Sequence, residues 1–119
     1  MLYSMLQAKL HRVRVTHAHL NYEGSCGIDQ ALLELAGIRK NQQIEIYNVT
    51  TGARFCTYVI VEPRDCGAIS LNGAAARLVA VGDLLIICAY VLCTRAEMAE
   101  HQPTVIHVDD ANRACPRPD

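Results

Sequence analysis

Apolar and polar residues alternate along several short stretches of this chain, and those stretches are rich in β-branched and aromatic side chains. The pattern predicts strands over 13–18, 44–49, 54–61, 68–71, 84–92 and 105–108. Helical signals are few. Asp29 can cap a helix running through Leu35, with Ala31, Leu32, Leu35 and Ala36 along one stripe and Gly37 as a left-handed stop. Asn72-Gly73 ahead of three alanines predicts a turn leading into one helical turn, and Thr94 with Glu97 has capping-box spacing. The segment 111–119, with two prolines and mixed charge, reads as a loose tail. Many short strands and small helices fit a mainly β protein, a compact barrel with the helices at its rims.

Composition narrows the class. A chain of 119 residues predicts a single domain over 1–119. Its 51% hydrophobic and 19% charged content is apolar for that size, so some apolar surface is expected to meet another subunit. Eleven basic residues stand against twelve acidic ones with no basic run, which argues against nucleic acid and anionic membrane as partners. The first residues carry Lys9, His11, Arg12 and Arg14 where an export signal needs its apolar core. The longest apolar run, 78–93, is broken by Gly82-Asp83 and is too short to span a bilayer. Six cysteines without a C-x-x-C pair are expected as thiols of a cytoplasmic protein.

One short stretch carries candidate chemistry. In YEGSCGID, 22–29, a glycine stands directly before a serine. One reading is a turn, with glycine supplying a positive φ. The other is that Ser25 Oγ attacks the Gly24 carbonyl, which a missing side chain leaves uncrowded, turning an amide into an ester. That shift is uphill, so the fold must strain the peptide and supply donors for the oxyanion.

Longer segments resemble a known family. MLQAKLHRVRVTHAHLNYEGSCGID at 5–29, IYNVTTGARFCTY at 46–58, ISLNGAAARLVAVGDLLII at 69–87 and QPTVIHVD at 102–109 are similar to the pyruvoyl-dependent aspartate 1-decarboxylases, with YEGS and NGAAA the most specific elements. The resemblance implies a double-psi β-barrel, a homotetramer, and a zymogen that cuts itself between Gly24 and Ser25 into chains 1–24 and 25–119. It implies that Ser25 becomes a covalent pyruvoyl group, which forms a Schiff base with L-aspartate and releases CO2 and β-alanine for pantothenate and coenzyme A synthesis. Neither pyridoxal phosphate nor a metal is required. Some relatives also use a separate maturation factor.

The same resemblance suggests residue roles, each with a plainer reading beside it. Arg54 and Tyr58, four apart on a strand, share a face with Cys56. They are a solvated arginine and a packing tyrosine, or else the partner of a substrate carboxylate and the proton donor to Cα. Thr57 matches a residue that contacts the site and assists cleavage, yet alternation points it away from Tyr58 unless a bulge or a second subunit intervenes. Lys9 and His11 are surface groups, or lie near the substrate carboxylate and the pyruvoyl. Gly73, Ala74 and Ala75 start a helix, or contact substrate through backbone N–H groups. Asn72 is implied beside the cleavage centre, and Tyr22 reads more as packing. Arg77 departs from an expected histidine, and Cys26 stands where family members vary among small residues.

Two other classes stay open. Ser25 or Cys26 with His11, His17 or His19 would make a hydrolase pair. A non-enzymatic barrel serving as a binding module would leave the YEGS, Arg54 and Tyr58 pattern without a role. His17 and His19 alternate on a strand with no ligand set around them, so no metal site is expected.

Overall fold

In the computed structural model, which describes residues 1–117, the chain begins with its longest strand, β1 (Leu2–Arg14). It is followed by β2 (His17–His19), β3 (Ser25–Asp29), α1 (Gln30–Ala36), β4 (Gln43–Asn48), β5 (Arg54–Glu62) and β6 (Ile69–Asn72). A 3-10 helix (Gly73–Leu78), β7 (Leu84–Thr94), α2 (Arg95–Met98), β8 (Thr104–Val108) and β9 (Ala114–Cys115) complete the order. The strands form one sheet in the order β2-β6-β3-β5-β4-β7-β1-β8-β9. Three of its pairs, β1 with β8, β2 with β6 and β3 with β5, are parallel between strands far apart in sequence. The core fills with Leu10, Ile28, Ile46, Leu71, Leu85 and Ile87, none with measurable exposure. Burying each such side chain contributes about 1.5–3 kcal/mol.

Four of the predicted strands reappear as β4, β5, β6 and β7, and 105–108 as β8. The first prediction needs correcting. Instead of one strand over 13–18, β1 starts eleven residues earlier, and His17–His19 is a separate strand. Register shifts between Leu6 and Ala8 and between Leu10 and Val13 interrupt the alternation that would have revealed β1, and Arg12 sits in the second bulge at φ 63°. β3 was not predicted at all. Its five residues are all buried, so they show no alternation, and only Ile28 is β-branched.

Helix α1 starts and stops as predicted: the Asp29 carboxylate accepts from the Ala31 N–H at 2.8 Å, and Gly37 takes φ 72°. Its buried stripe is Leu32, Leu33 and Ala36, while Leu35 is 55% exposed, a correction of one residue in helix phase. Thr94 and Glu97 form the predicted capping box. The expected loose tail is held through Cys115. Asn112 is buried, donates to the Arg14 and Gly67 carbonyls at 2.8 and 2.9 Å, and accepts from the Arg14 N–H. β9 then pairs with β8. Mixed charge hid a single asparagine that satisfies three backbone groups.

Candidate active site

Ser25 opens β3 directly opposite Asn72, the last residue of β6. Both side chains are buried, and Asn72 Nδ2 donates to Ser25 Oγ at 3.1 Å. Asn72 also occupies the N-cap position of the 3-10 helix but makes no side-chain capping bond there. The hydroxyl of Ser25 donates to the Glu23 carbonyl at 3.3 Å, so Oγ lies folded back along its own upstream chain.

The two glycines at this point differ in kind. Gly73 has φ 69°, and a Cβ there would fall 2.7 Å from Gly24 Cα and 2.9 Å from the Tyr22 carbonyl oxygen. Only glycine allows the loop 22–24 to lie against the start of the 3-10 helix. Gly24 has no positive φ, and a Cβ on it would meet nothing closer than the Asn72 carbonyl at 4.0 Å. Neither backbone angle nor packing calls for glycine at 24.

Tyr58 and Arg54 sit on β5. The parallel β3–β5 ladder begins at Cys26 opposite Val59, so Ser25 and Tyr58 are the residues immediately before its first rung. Arg54, Cys56 and Tyr58 are all exposed and share the outer face, as their spacing predicts. The β4–β5 register runs without a shift, so no bulge turns Thr57 toward Tyr58; it stays half-buried on the opposite face. The Arg54 guanidinium carbon lies 3.8 Å from the centroid of the Tyr47 ring, and the Tyr47 hydroxyl is 2.8 Å from that of Tyr90. Neither tyrosine stood out in the sequence. Pairing Tyr47 with Arg54 across the hairpin was the available signal.

Lys9 and His11 lie elsewhere in the sheet. Lys9 pairs with Cys88, which pairs with Glu45, which pairs with Cys56 between Arg54 and Tyr58. At about 4.8 Å per strand that row separates Lys9 from β5 by roughly 14 Å. His11 packs edge-on to His107 with ring centroids 5.2 Å apart, and its Nδ1 is buried without a partner. Burial, then the charges of Lys9, His107, Arg12 and Arg117, lower the His11 pKa and favour its neutral form. Within one chain Gly24, Ser25, Asn72 and Gly73 meet, Tyr58 stands beside Ser25 on the neighbouring strand, and Lys9 and His11 stand on β1, three strands from β5 along the sheet. Ala74 is exposed and Ala75 half-buried at the start of the 3-10 helix, and Tyr22 is exposed.

Other groups near the serine are limited in what they can do. Cys26 points into the core with no exposure, and burial first, then Glu62, push its thiol up to about 12. A thiol with that pKa is no nucleophile near neutral pH. Among the described residues, no histidine hydrogen-bonds Ser25 or Cys26; His17 Nδ1 is 2.8 Å from Thr16 Oγ1, and its ring stacks on His19. A cleft of about 670 Å³ lined by His17, His19, Tyr22, Glu62 and Asn72 borders the 22–24 loop.

Comparison with known proteins adds to this geometry. The family described as aspartate decarboxylase matches residues 1–115. The aspartate 1-decarboxylase of Bordetella avium (strain 197N) is 62% identical over 109 residues, covering 92% of this chain and 89% of that protein. Its counterpart in Methylococcus capsulatus is 58% identical over 110 residues, covering 92% and 87%. A crystal structure of a computationally designed protein, msDPBB_sym2, superposes with a TM-score of 0.52 at 23% identity, over 73% of this chain and 99% of the design. That likeness bears out the mainly β, double-psi β-barrel fold.

Proposed function

The chain belongs to the aspartate decarboxylase family, and from that premise we propose that it converts L-aspartate to β-alanine and CO2 with a pyruvoyl group made from its own Ser25. The observation that carries the reading is the setting of the Gly24-Ser25 bond. The glycine at 24 has no conformational or packing reason to be glycine, while Gly73 lies close against Gly24 and Asn72 donates to the serine hydroxyl.

Attack of Ser25 Oγ on the Gly24 carbonyl carbon, with expulsion of the Ser25 nitrogen, converts amide to ester. Loss of the Ser25 α-hydrogen as a proton then expels the Gly24 carboxylate and leaves an enamine at position 25. Its hydrolysis consumes one water, releases one ammonia and leaves a ketone. The hydrogen bond from Asn72 orients Oγ, and Thr57 of β5 assists. Cutting gives chains of 24 and, being 119 less 24, 95 residues. β1 lies between β7 and β8, so two ladders keep the short chain in place.

A pyruvoyl group supplies a ketone that takes the substrate amine and accepts the electron pair left when CO2 departs. The side chains do the rest. Tyr58, one rung before β3 meets β5, delivers a proton to Cα. Arg54 takes a substrate carboxylate in the plane of its guanidinium. Lys9 supplies a second cation and His11 a neutral imidazole, and Gly73, Ala74 and Ala75 border the substrate. Lys9 and His11 stand on β1, three strands from β5 along the sheet, an arrangement that fits a site shared between copies in a homotetramer. The product feeds pantothenate synthesis in the cytoplasm.

Incubating purified protein with L-aspartate and borohydride tests this. A reduced aspartate adduct mapping to residue 25 of the longer chain is expected. An active preparation that yields no adduct contradicts it.

A further inference from the structure

The outer face of β4, β5 and β7 holds an aromatic support that the chemistry above leaves unused. Arg54 and Tyr47 stand directly opposite each other across the β4–β5 ladder, with the guanidinium over the ring at 3.8 Å. That is the distance of a stacked cation–π contact. Tyr47 is itself tied down, because its hydroxyl lies 2.8 Å from the hydroxyl of Tyr90. The residue of β7 that pairs with Tyr47 is Ile86, four positions from Tyr90 on the same face. The Tyr47 ring therefore leans along the sheet and is anchored at both ends, by its Cβ and by its phenol. The hydrogen bond with Tyr47, then burial, raise the Tyr90 pKa above the ordinary tyrosine range.

We propose that Tyr90 is a positioning residue: its hydroxyl fixes the tilt of the Tyr47 ring, and that ring sets the plane in which Arg54 meets a substrate carboxylate. A guanidinium makes two parallel hydrogen bonds to a carboxylate only when the two planes coincide. Freeing the ring lets the fork rotate, which weakens binding and leaves the chemical steps alone. The inference rests on the reading of Arg54 as the carboxylate partner.

The test uses self-processed enzyme carrying Tyr90→Phe, Tyr47→Phe, both together, Arg54→Met, and Arg54→Met with Tyr90→Phe. Aspartate kinetics are measured beside calorimetric titration with succinate, a dicarboxylate that lacks the reacting amine. Each single phenylalanine variant keeps its ring and is expected to raise KM and the succinate Kd together by about two- to fivefold, with kcat held within about twofold. The double variant is expected to be no worse than either single one, because both remove the same hydrogen bond. In the Arg54→Met background, Tyr90→Phe is expected to add nothing. Unchanged KM and succinate affinity in Tyr90→Phe, alongside a loss in Arg54→Met, overturn the inference and spare the reading of Arg54. A kcat loss at constant KM, or additive losses in the double variant, also overturn it. Unchanged succinate affinity in Arg54→Met removes the reading of Arg54 and this inference with it.

Discussion

Asn72 gives its side-chain amide to Ser25 Oγ at 3.1 Å and makes no capping bond to the 3-10 helix that it precedes. An asparagine at a helix start normally accepts from the backbone two or three residues on. Here that local stabilisation is forgone, and the amide serves a hydroxyl on a strand 47 residues away in sequence.

Asn72→Ala is therefore expected to lose a buried hydrogen bond, costing about 0.5–1.5 kcal/mol because the Ser25 hydroxyl keeps its bond to the Glu23 carbonyl. Self-cleavage is expected to slow markedly in a protein that still folds. Thermal unfolding and a time course of intact mass read the two effects separately. Cleavage at the unaltered rate counts against the orienting role.

Gly24 and Gly73 are expected to respond oppositely. Alanine at 73 brings a Cβ to 2.7 Å from Gly24 Cα at a φ of 69°, so Gly73→Ala should cost about 1–3 kcal/mol and displace the 22–24 loop. Alanine at 24 meets only the Asn72 carbonyl oxygen, at 4.0 Å, and Gly24→Ala should stay within about 0.5 kcal/mol of the parent. It should nonetheless cut more slowly, because a methyl group crowds the carbonyl that Ser25 attacks. Stability and cutting rate measured on both variants check the contrast.

His11 links stability to pH. Its pKa is lowered from 6.5 by burial first, with Lys9, His107, Arg12 and Arg117 adding to it. The unfolded chain then binds the proton more readily than the folded one. Stability is full above pH 6.5 and is lost as pH falls from there through the folded pKa. The melting midpoint of the parent is expected to drop on acidification in that window, and His11→Gln is expected to flatten the drop. A midpoint with the same slope in both proteins excludes the linkage.

Cys26 stands beside Ser25, the proposed precursor of the pyruvoyl group, and is expected to take no part in its chemistry. Buried completely, with its thiol pushed up to about 12, it should resist iodoacetamide in the folded protein. Cys26→Ala is expected to cut and decarboxylate normally. Its cost is a small core cavity, about 1 kcal/mol of stability by the usual methylene scale. Loss of activity in a correctly cut Cys26→Ala protein speaks for a thiol mechanism instead.

The sequence revealed what local rules govern. The cap at Asp29, the stop at Gly37 and the Thr94–Glu97 box are contacts within a few residues, and each formed where its spacing placed it. Arg54, Cys56 and Tyr58 shared a face because β5 alternates without interruption over 54–58. Failures fell where distant chain segments decide the outcome. The register shift between Leu6 and Ala8 and the bulge at Arg12 hid β1, and burial of all five residues of β3 erased its alternation. Leu33 displaced Leu35 from the helix stripe because packing set the helix phase. Asn112 anchors a segment whose composition reads as loose. The support of Arg54 by Tyr47 and Tyr90 joins three strands, and no local spacing carries it.

Residue 25 carries the proposed chemistry, and intact-mass analysis of the purified chain, followed by carbonyl-specific labelling with a hydrazide, reads that residue directly. Two chains of 24 and 95 residues are predicted, with the longer one lacking a free amino terminus and taking up one hydrazide. Ser25→Ala is predicted to remain a single chain of 119 residues that neither reacts with the hydrazide nor releases CO2 from aspartate. A decarboxylating preparation that stays uncut, with an unmodified serine at position 25, contradicts the account.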